Sequence, residues 1–341
     1  MMSLFNPIAL LPPNVNSLCS SFDKLMISSV SHNTWNKHSS ALSLYSKFCN
    51  NLNLQCSLPF PLKNVRAFTT WALTERGLQT ATVKSYLCSL KIIHDLNDFS
   101  YDDFLKDRCI KMLLSGASNL SLPNNSFRPA MNFPLLKILS HRIAETHWSE
   151  YSKQIIWTAF AICFFTSCRM GEIVCEKEYY CDMRKTLKWE NIVFSNNNIV
   201  IFVPYTKATG FKGAFVDIFP LENSPYCPFS AISKLSEMAR DNPNFSLKNP
   251  VFKFWSGKFL CPQKLNSILK DLLADFCTTN CIISCHSFRA AIPSLLAAHP
   301  DKTAIADILE WGRWSSNSYK KYTRYEVETK RMIFNKIVSL F

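Results

Sequence analysis

SCHSFRAAIPSLLAAHPDKTAIADILEWGRWSSNSYKKYTRY, residues 284–325, is the stretch on which the reading of this 341-residue chain turns. His286 and Arg289 stand three apart, so one helical turn puts them on one face. Leu295, Leu296, Ile305, Ile308 and Leu309 are expected to form the buried side of two following helices. Then come Trp311-Gly312-Arg313-Trp314 and a polar segment with tyrosines at 319, 322 and 325. A fixed His/Arg pair near a tyrosine hydroxyl suits phosphoryl transfer. The arginine fork binds two phosphate oxygens, histidine moves a proton near neutral pH, and tyrosine can carry a covalent intermediate.

Upstream, an apolar helix expected over 155–165 runs into Arg169-Met-Gly-Glu172, an arginine with a carboxylate three residues on. Strands are expected over 187–194 and 198–205, with a return strand over 214–220. The segment TKATGFKG, holding Lys207 and Lys212, makes the hairpin between the last two. Helices are expected over about 228–240 and 262–276. Residues 119–134, rich in Asn, Ser and Pro, make the best interdomain linker. Before it, residues 20–118 pattern as four or five amphipathic helices, with Ser31 to Thr34 offering N-caps for one carrying Trp35, Tyr45 and Phe48. On the helix expected over 80–96, Val83, Leu87, Leu90 and Ile93 recur at helical spacing and Lys84 and Lys91 share a face. Residues 1–19 form an arm. After Tyr325 the tail places Ile333, Ile337 and Phe341 at four-residue steps, an apolar stripe for its own domain or a neighbouring subunit.

The formal net charge is +13, from 38 Lys and Arg against 25 Asp and Glu, which favours a polyanionic partner, nucleic acid before membrane. No run reaches the roughly 18 apolar residues of a membrane span. The N-terminus lacks the positive region of a secretory signal. The 14 cysteines are scattered and read as small buried hydrophobes in a reduced, intracellular protein. Cys277, Cys281 and Cys285 fall at helical spacing beside His286, but no CxxC pair supports a zinc site. Neither metal nor cofactor is expected.

The order Arg-x-x-Glu, hairpin lysine, HSFR, GRW and Y-x-x-YTR resembles the tyrosine recombinases, or phage-integrase-like enzymes. Its wording is most similar to the recombinases of cryptons and DIRS-type mobile elements. The resemblance implies a mainly α fold with a small antiparallel β-sheet. A helical core-binding domain (20–118) clamps DNA, a mixed α/β catalytic domain spans 135–325, and a C-terminal helix (326–341) makes oligomer contacts. It implies a site-specific recombinase, acting as integrase or transposase, that cuts and rejoins DNA through a 3′-phosphotyrosyl intermediate.

Under that resemblance Arg169 and Arg289 clamp the scissile phosphate, with Glu172 holding Arg169 in place. His286 assists proton transfer, Lys207, which fits the hairpin position better than Lys212, protonates the departing 5′-oxygen, and Trp314 donates its indole N–H to a phosphate oxygen. Tyr322, eight residues after Trp314, fits the nucleophile better than Tyr319 or Tyr325. Lys37, Lys84, Lys91, Lys212 and Arg313 are the further cations assigned to DNA. The implied partners are a double-stranded recombination site and other copies of the chain, a dimer per site and a tetrameric synapse. The implied location is the nucleus for a eukaryotic element, otherwise the cytoplasm or nucleoid. A type IB topoisomerase-like enzyme and a recombinase-derived DNA-binding protein that no longer cuts are the alternatives.

Overall fold

The computed structural model describes residues 19–30, 32–97, 99, 103–120, 128–278, 281–298, 304–314 and 319–320. The chain divides between Asn124 and Asn125 into two units. Residues 1–18 of the expected arm, 121–127 of the expected linker, and the tail with Ile333, Ile337 and Phe341 lie outside the described residues.

The first unit is helical: α1 (Cys19–Ser28), α2 (His32–Asn51), α3 (Leu62–Thr74), α4 (Thr80–Asp95), a 3₁₀ turn (Phe104–Lys106) and α5 (Arg108–Leu120). Its core is aromatic. Tyr45 and Phe48 of α2 meet Phe60 and Phe68, with Tyr45 and Phe60 ring centroids 4.6 Å apart, while Val83, Leu87, Leu90 and Ile93 bring in α4. The backbone N–H of Phe60 is buried where it needs an acceptor, and it donates to His94 Nε2 at 2.8 Å. An imidazole nitrogen accepts only when unprotonated. Burial first, then the charge of Lys91, holds the His94 pKa down at about 4, with Asp95 acting weakly the other way. Lys37 and Lys84 project into solvent, whereas Lys91 is half-buried and pairs with Asp95 one turn on.

The second unit is built on α7 (Glu150–Thr166), whose residues are buried almost all round. Preceding it is α6 (Phe133–Glu145). Met131, placed in the linker by composition, is already in this core, and its N–H donates to Ser287 O at 2.9 Å. A short helix, α8 (Met170–Ile173), follows α7. The antiparallel sheet has the order β1 (Ile192–Phe194), β2 (Ile199–Val203) and β3 (Ala214–Ile218), with Ile201 opposite both Ile192 and Val216. Ile199, Ile201 and Val203 face the core, as period-two alternation requires. Helices α9 (Pro228–Arg240), α10 (Pro262–Leu272), α11 (Cys285–Arg289), α12 (Ala291–Ala298) and α13 (Ile305–Gly312) complete it.

Three expectations need correction. The first strand starts at Ile192, not Leu187. The backbone donors before it are drawn elsewhere: Lys188 N–H goes to Asn191 Oδ1 at 3.0 Å, Trp189 N–H to Asn249 O at 3.2 Å, and Glu190 N–H to Leu247 O at 2.8 Å. A 3₁₀ turn over Trp189–Asn191 results. Helix α10 stops at Leu272 rather than Phe276, because Leu273 turns out of the helical region and Arg142 Nη1 takes the Leu272 carbonyl at 2.5 Å. Leu295 and Ile305 are 54% and 59% exposed, while Ile308 packs with Trp314 and Tyr319. The inward face of α12 is carried instead by Ala291, Pro293 and Ser294.

The buried neutral His94 gives the first unit a defined acid sensitivity. Its folded pKa lies below the unfolded value near 6.5, so its stabilising contribution is whole above pH 6.5 and is lost as pH falls towards 4. Each pKa unit is worth about 1.4 kcal/mol, so the loss by about pH 4 is on the order of 3 kcal/mol. Hydrogen exchange in α4 of the full chain should report this loss between pH 6.5 and 4, after correction for intrinsic exchange. A flat opening free energy over that interval would contradict the assignment.

Candidate active site

Each cation of the site is delivered by a different local device. Helix α7 ends at Ser167 in the left-handed region (φ 53°), and the chain turns directly into Arg169. Glu172, one turn later on α8, accepts the Arg169 backbone N–H at 3.0 Å and its Nη1 at 2.6 Å. The carboxylate is nearly buried (6%) and the arginine side chain partly open (28%), so the pair is fixed at its base and available at its tip.

Lys207 sits where β2 runs out. Thr206 Oγ1 receives the N–H groups of Ala208 and Thr209, and Thr206 and Gly210 exchange backbone hydrogen bonds at 3.2 and 2.9 Å. The turn closes through Gly213 (φ +66°), where a Cβ would stand 2.5 Å from Val203 O, so only glycine fits there. Lys207 and Lys212 are both exposed on this locked loop.

His286 and Arg289 share the single-turn helix α11, which is anchored by the Phe288 ring between them. That ring is fully buried and stacks on Phe160 of α7 with centroids 5.0 Å apart. Asn266 of α10 accepts the Cys285 N–H at 2.9 Å and so satisfies an orphan donor at the start of α11. His286 is exposed along the cleft wall. Loss of hydration there, followed by the charges of Arg128, Arg169 and Lys207, lowers its pKa below the usual 6.5. Arg128, Tyr205 and Asn266 were not picked out in the sequence: Arg128 lies in a segment that reads as linker, and the other two carry no motif.

Arg289 is 3% exposed. Its Nη1 donates to Ser167 O and its Nη2 to Gly312 O at 2.5 Å, while its guanidinium lies 4.5 Å from the centroid of the Trp314 ring. Burial, then the charges of Arg169 and Arg313, lowers its pKa to about 10, and it stays protonated at neutral pH. Gly312 makes this stack possible, since a Cβ there would lie 1.8 Å from the Trp314 ring. Arg313, expected to face DNA, turns inward. Its Nη1 donates to Thr166 O at 3.2 Å, and its Nη2 lies 3.3 Å from Cys168 Sγ and 3.7 Å from Glu172 Oε2. The carbonyls at the end of α7 draw it there, as a helix C-terminus attracts a cation.

Arg169, Lys207, His286 and Arg289 therefore line one cleft of about 310 Å³, together with Glu172, Tyr205, Asn266 and Cys285. Trp314 is buried behind Arg289, and Tyr319 packs beside it. Tyr322 and Tyr325 lie outside the described residues. Three cations against one carboxylate on the cleft wall make an anion site. Among the described residues no group of three His, Cys, Asp or Glu is arranged to hold a metal ion, and no helix is long and apolar enough to cross a membrane.

The architecture has solved counterparts. A Tn1549 transposon integrase (residues 82–397) in complex with circular intermediate DNA superposes with TM-score 0.57 at 13% identity, over 92% of this chain and 97% of that one. A lambda integrase (75–356) dimer bound to a COC′ core site gives 0.57 at 12% identity, over 92% and 96%. The XerH site-specific recombinase in a post-cleavage complex gives 0.56 at 15% identity, over 85% and 74%. The chain has the tyrosine recombinase fold, mostly helical with a three-stranded antiparallel sheet. No protein-family model and no curated protein sequence matches it.

The Gly312–Trp314 contact is directly testable. Gly312→Ala should force the indole off Arg289 and destabilise the unit by about 1–3 kcal/mol, as overpacking does. Chemical denaturation and the Trp fluorescence of the folded state both read it out. A variant with unchanged stability and spectrum would show that the ring does not pack on this glycine.

Proposed function

We propose that this protein is a site-specific DNA recombinase that cuts and rejoins strands through a tyrosine, the integrase or transposase of a mobile element. The observation that carries the reading is the convergence of Arg169, Lys207, His286 and Arg289, far apart in sequence and delivered by separate elements, on one cationic cleft. The compared structures support it. They include a lambda integrase dimer on a core site and a lambda integrase tetramer bound to a Holliday junction. A dimer per site and a tetrameric synapse are proposed here on that basis.

In this mechanism the scissile phosphate enters between Arg169 and Arg289. Arg169, braced by Glu172, is the more accessible fork and takes the first oxygen pair. Arg289 is held by the Ser167 and Gly312 carbonyls, and a phosphate oxygen competes with those neutral acceptors for its N–H groups. The guanidinium is cationic in both arrangements, but the phosphate carries a full negative charge that the carbonyls lack, so the Coulombic attraction favours the exchange. Both guanidiniums stabilise the charge that builds up in the transition state. His286, neutral at pH 7 because its pKa is lowered, accepts the proton of the attacking tyrosine. Lys207 protonates the leaving 5′-oxygen. Trp314 supports Arg289 by stacking and backs the phosphate site. Tyr322 is the nucleophile, forming a 3′-phosphotyrosine and conserving the bond for religation. Lys37, Lys84 and Lys212 add sequence-independent phosphate contacts.

Incubation with half-site or nicked DNA should give a covalent protein–DNA adduct on denaturing gels, with EDTA present. Tyr322→Phe should bind and form none. DNA binding without an adduct in the wild type would favour the non-cutting alternative, and loss of the adduct on chelation with recovery in magnesium would favour a nuclease. Arg169→Ala should slow adduct formation on the order of 10²–10³-fold while intact-site binding changes little. The pH profile follows from His286: adduct formation should hold on the alkaline side of its pKa and fall as pH drops through a midpoint below 6.5. A midpoint above 6.5 would remove His286 as the base.

A further inference from the structure

The segment leaving α8 carries a second chemistry. Cys175, two residues past the helix end, is 1% exposed, and its N–H is fixed to Leu260 O at 3.1 Å. Its thiol donates to Cys181 Sγ at 3.2 Å. Cys181 is half-buried, and its sulfur also lies 2.8 Å from Thr186 Oγ1 and 3.7 Å from Met183 Sδ. The loop between the thiols is already closed by paired backbone hydrogen bonds between Lys177 and Tyr180, at 3.3 and 3.4 Å. The two sulfurs therefore lie in contact in the folded chain.

We propose that Cys175 and Cys181 form an oxidisable dithiol that a peroxide closes to an intramolecular disulfide. The pair is chemically asymmetric, as such a reaction needs. The hydrogen bond from Cys175 lowers the Cys181 pKa to about 7, with Thr186 assisting and burial, Asp182 and Glu176 opposing. Lys185 Nζ lies 3.7 Å from both the Asp182 and Glu176 carboxylates and screens them. Donating that bond, and then burial, pushes the Cys175 thiol well up. Cys181 is thus the thiolate that attacks, and Cys175 is the resolving thiol.

The Cys181 sulfur attacks one peroxide oxygen, the O–O bond breaks, and the departing hydroxide takes up a proton as water. The resulting sulfenic sulfur is attacked by Cys175, which gives up its proton as hydroxide leaves and a second water forms. Two thiols lose two electrons, the peroxide is reduced to two waters, and one S–S bond is made. A small thiol in excess reverses it. The contact between the thiols does not depend on what the cleft binds.

Peptide mapping of the reduced full chain, treated with equimolar hydrogen peroxide and then alkylated, tests it. Cys88 and Cys109 are exposed and serve as internal controls. A linked pair of peptides holding Cys175 and Cys181, two hydrogens lighter than the reduced pair, should accumulate about tenfold faster than either control oxidises. Cys175→Ser should leave Cys181 as a sulfenic acid captured by dimedone. If Cys88 or Cys109 oxidises first, exposure alone governs these thiols. If Cys181 is oxidised without linkage to Cys175, the resolving step is wrong. Either result overturns the proposal, and the wild-type map requires no variant to fold.

Discussion

The second unit depends on how the C-terminal end of α7 is closed. A helix leaves its last carbonyls without internal partners, and they carry the negative end of its dipole. Here Trp311 Nε1 donates to Phe165 O at 2.9 Å, Arg313 Nη1 to Thr166 O, and Arg289 Nη1 to Ser167 O. Three side chains from two distant parts of the sequence thus cap three consecutive carbonyls of one buried helix. The Gly-Arg-Trp segment serves first as a cap. Its arrival also locks α11 and α13 to α7, which fixes the position of Arg289 in the cleft.

Glu172 is the complement of that cap. It is a nearly buried carboxylate with Arg169 bound twice and Arg313 at 3.7 Å. A buried charge is costly unless paired, and this one is shared by an arginine turned to the cleft and an arginine turned to the helix end. Truncating Glu172 leaves both cations crowding Arg289, whose pKa their charge already lowers. The carboxylate therefore sets how many cations the site can hold close together, and so how strongly it takes up an anion.

Much of this was legible from residue order. Helix α9 lies over the expected residues 228–240, α4 starts at Thr80 as its spacing implied, and the β2–β3 hairpin places Lys207 on the cleft. What failed was decided by tertiary partners that no local pattern announces. The strand expected from Leu187 begins only at Ile192, because the 247–249 segment takes the donors of Trp189 and Glu190. Leu295 and Ile305 fit an apolar stripe yet lie exposed in helices of eight residues, too short for one stripe to dictate burial. Arg313 looked like a surface cation because its partners, Thr166 O, Cys168 Sγ and Glu172, lie far upstream in sequence, the first 147 residues away. Arg128 was hidden in a loop-like run, and its proximity to His286 follows from the hydrogen bond between Met131 and Ser287.

The state of Arg289 links the scaffold to the chemistry. Its two terminal nitrogens hold carbonyls at the ends of α7 and α13 and its plane rests on Trp314, so the group that a phosphate would recruit is also the group that fastens the two helix ends. Any anion that draws it outward removes a cap from both helices at once. Arg313 and Trp311 remain on the neighbouring α7 carbonyls, so that helix end would keep two of its three donors while Arg289 is engaged. That redundancy closes the core beneath the cleft with contacts other than those of Arg289.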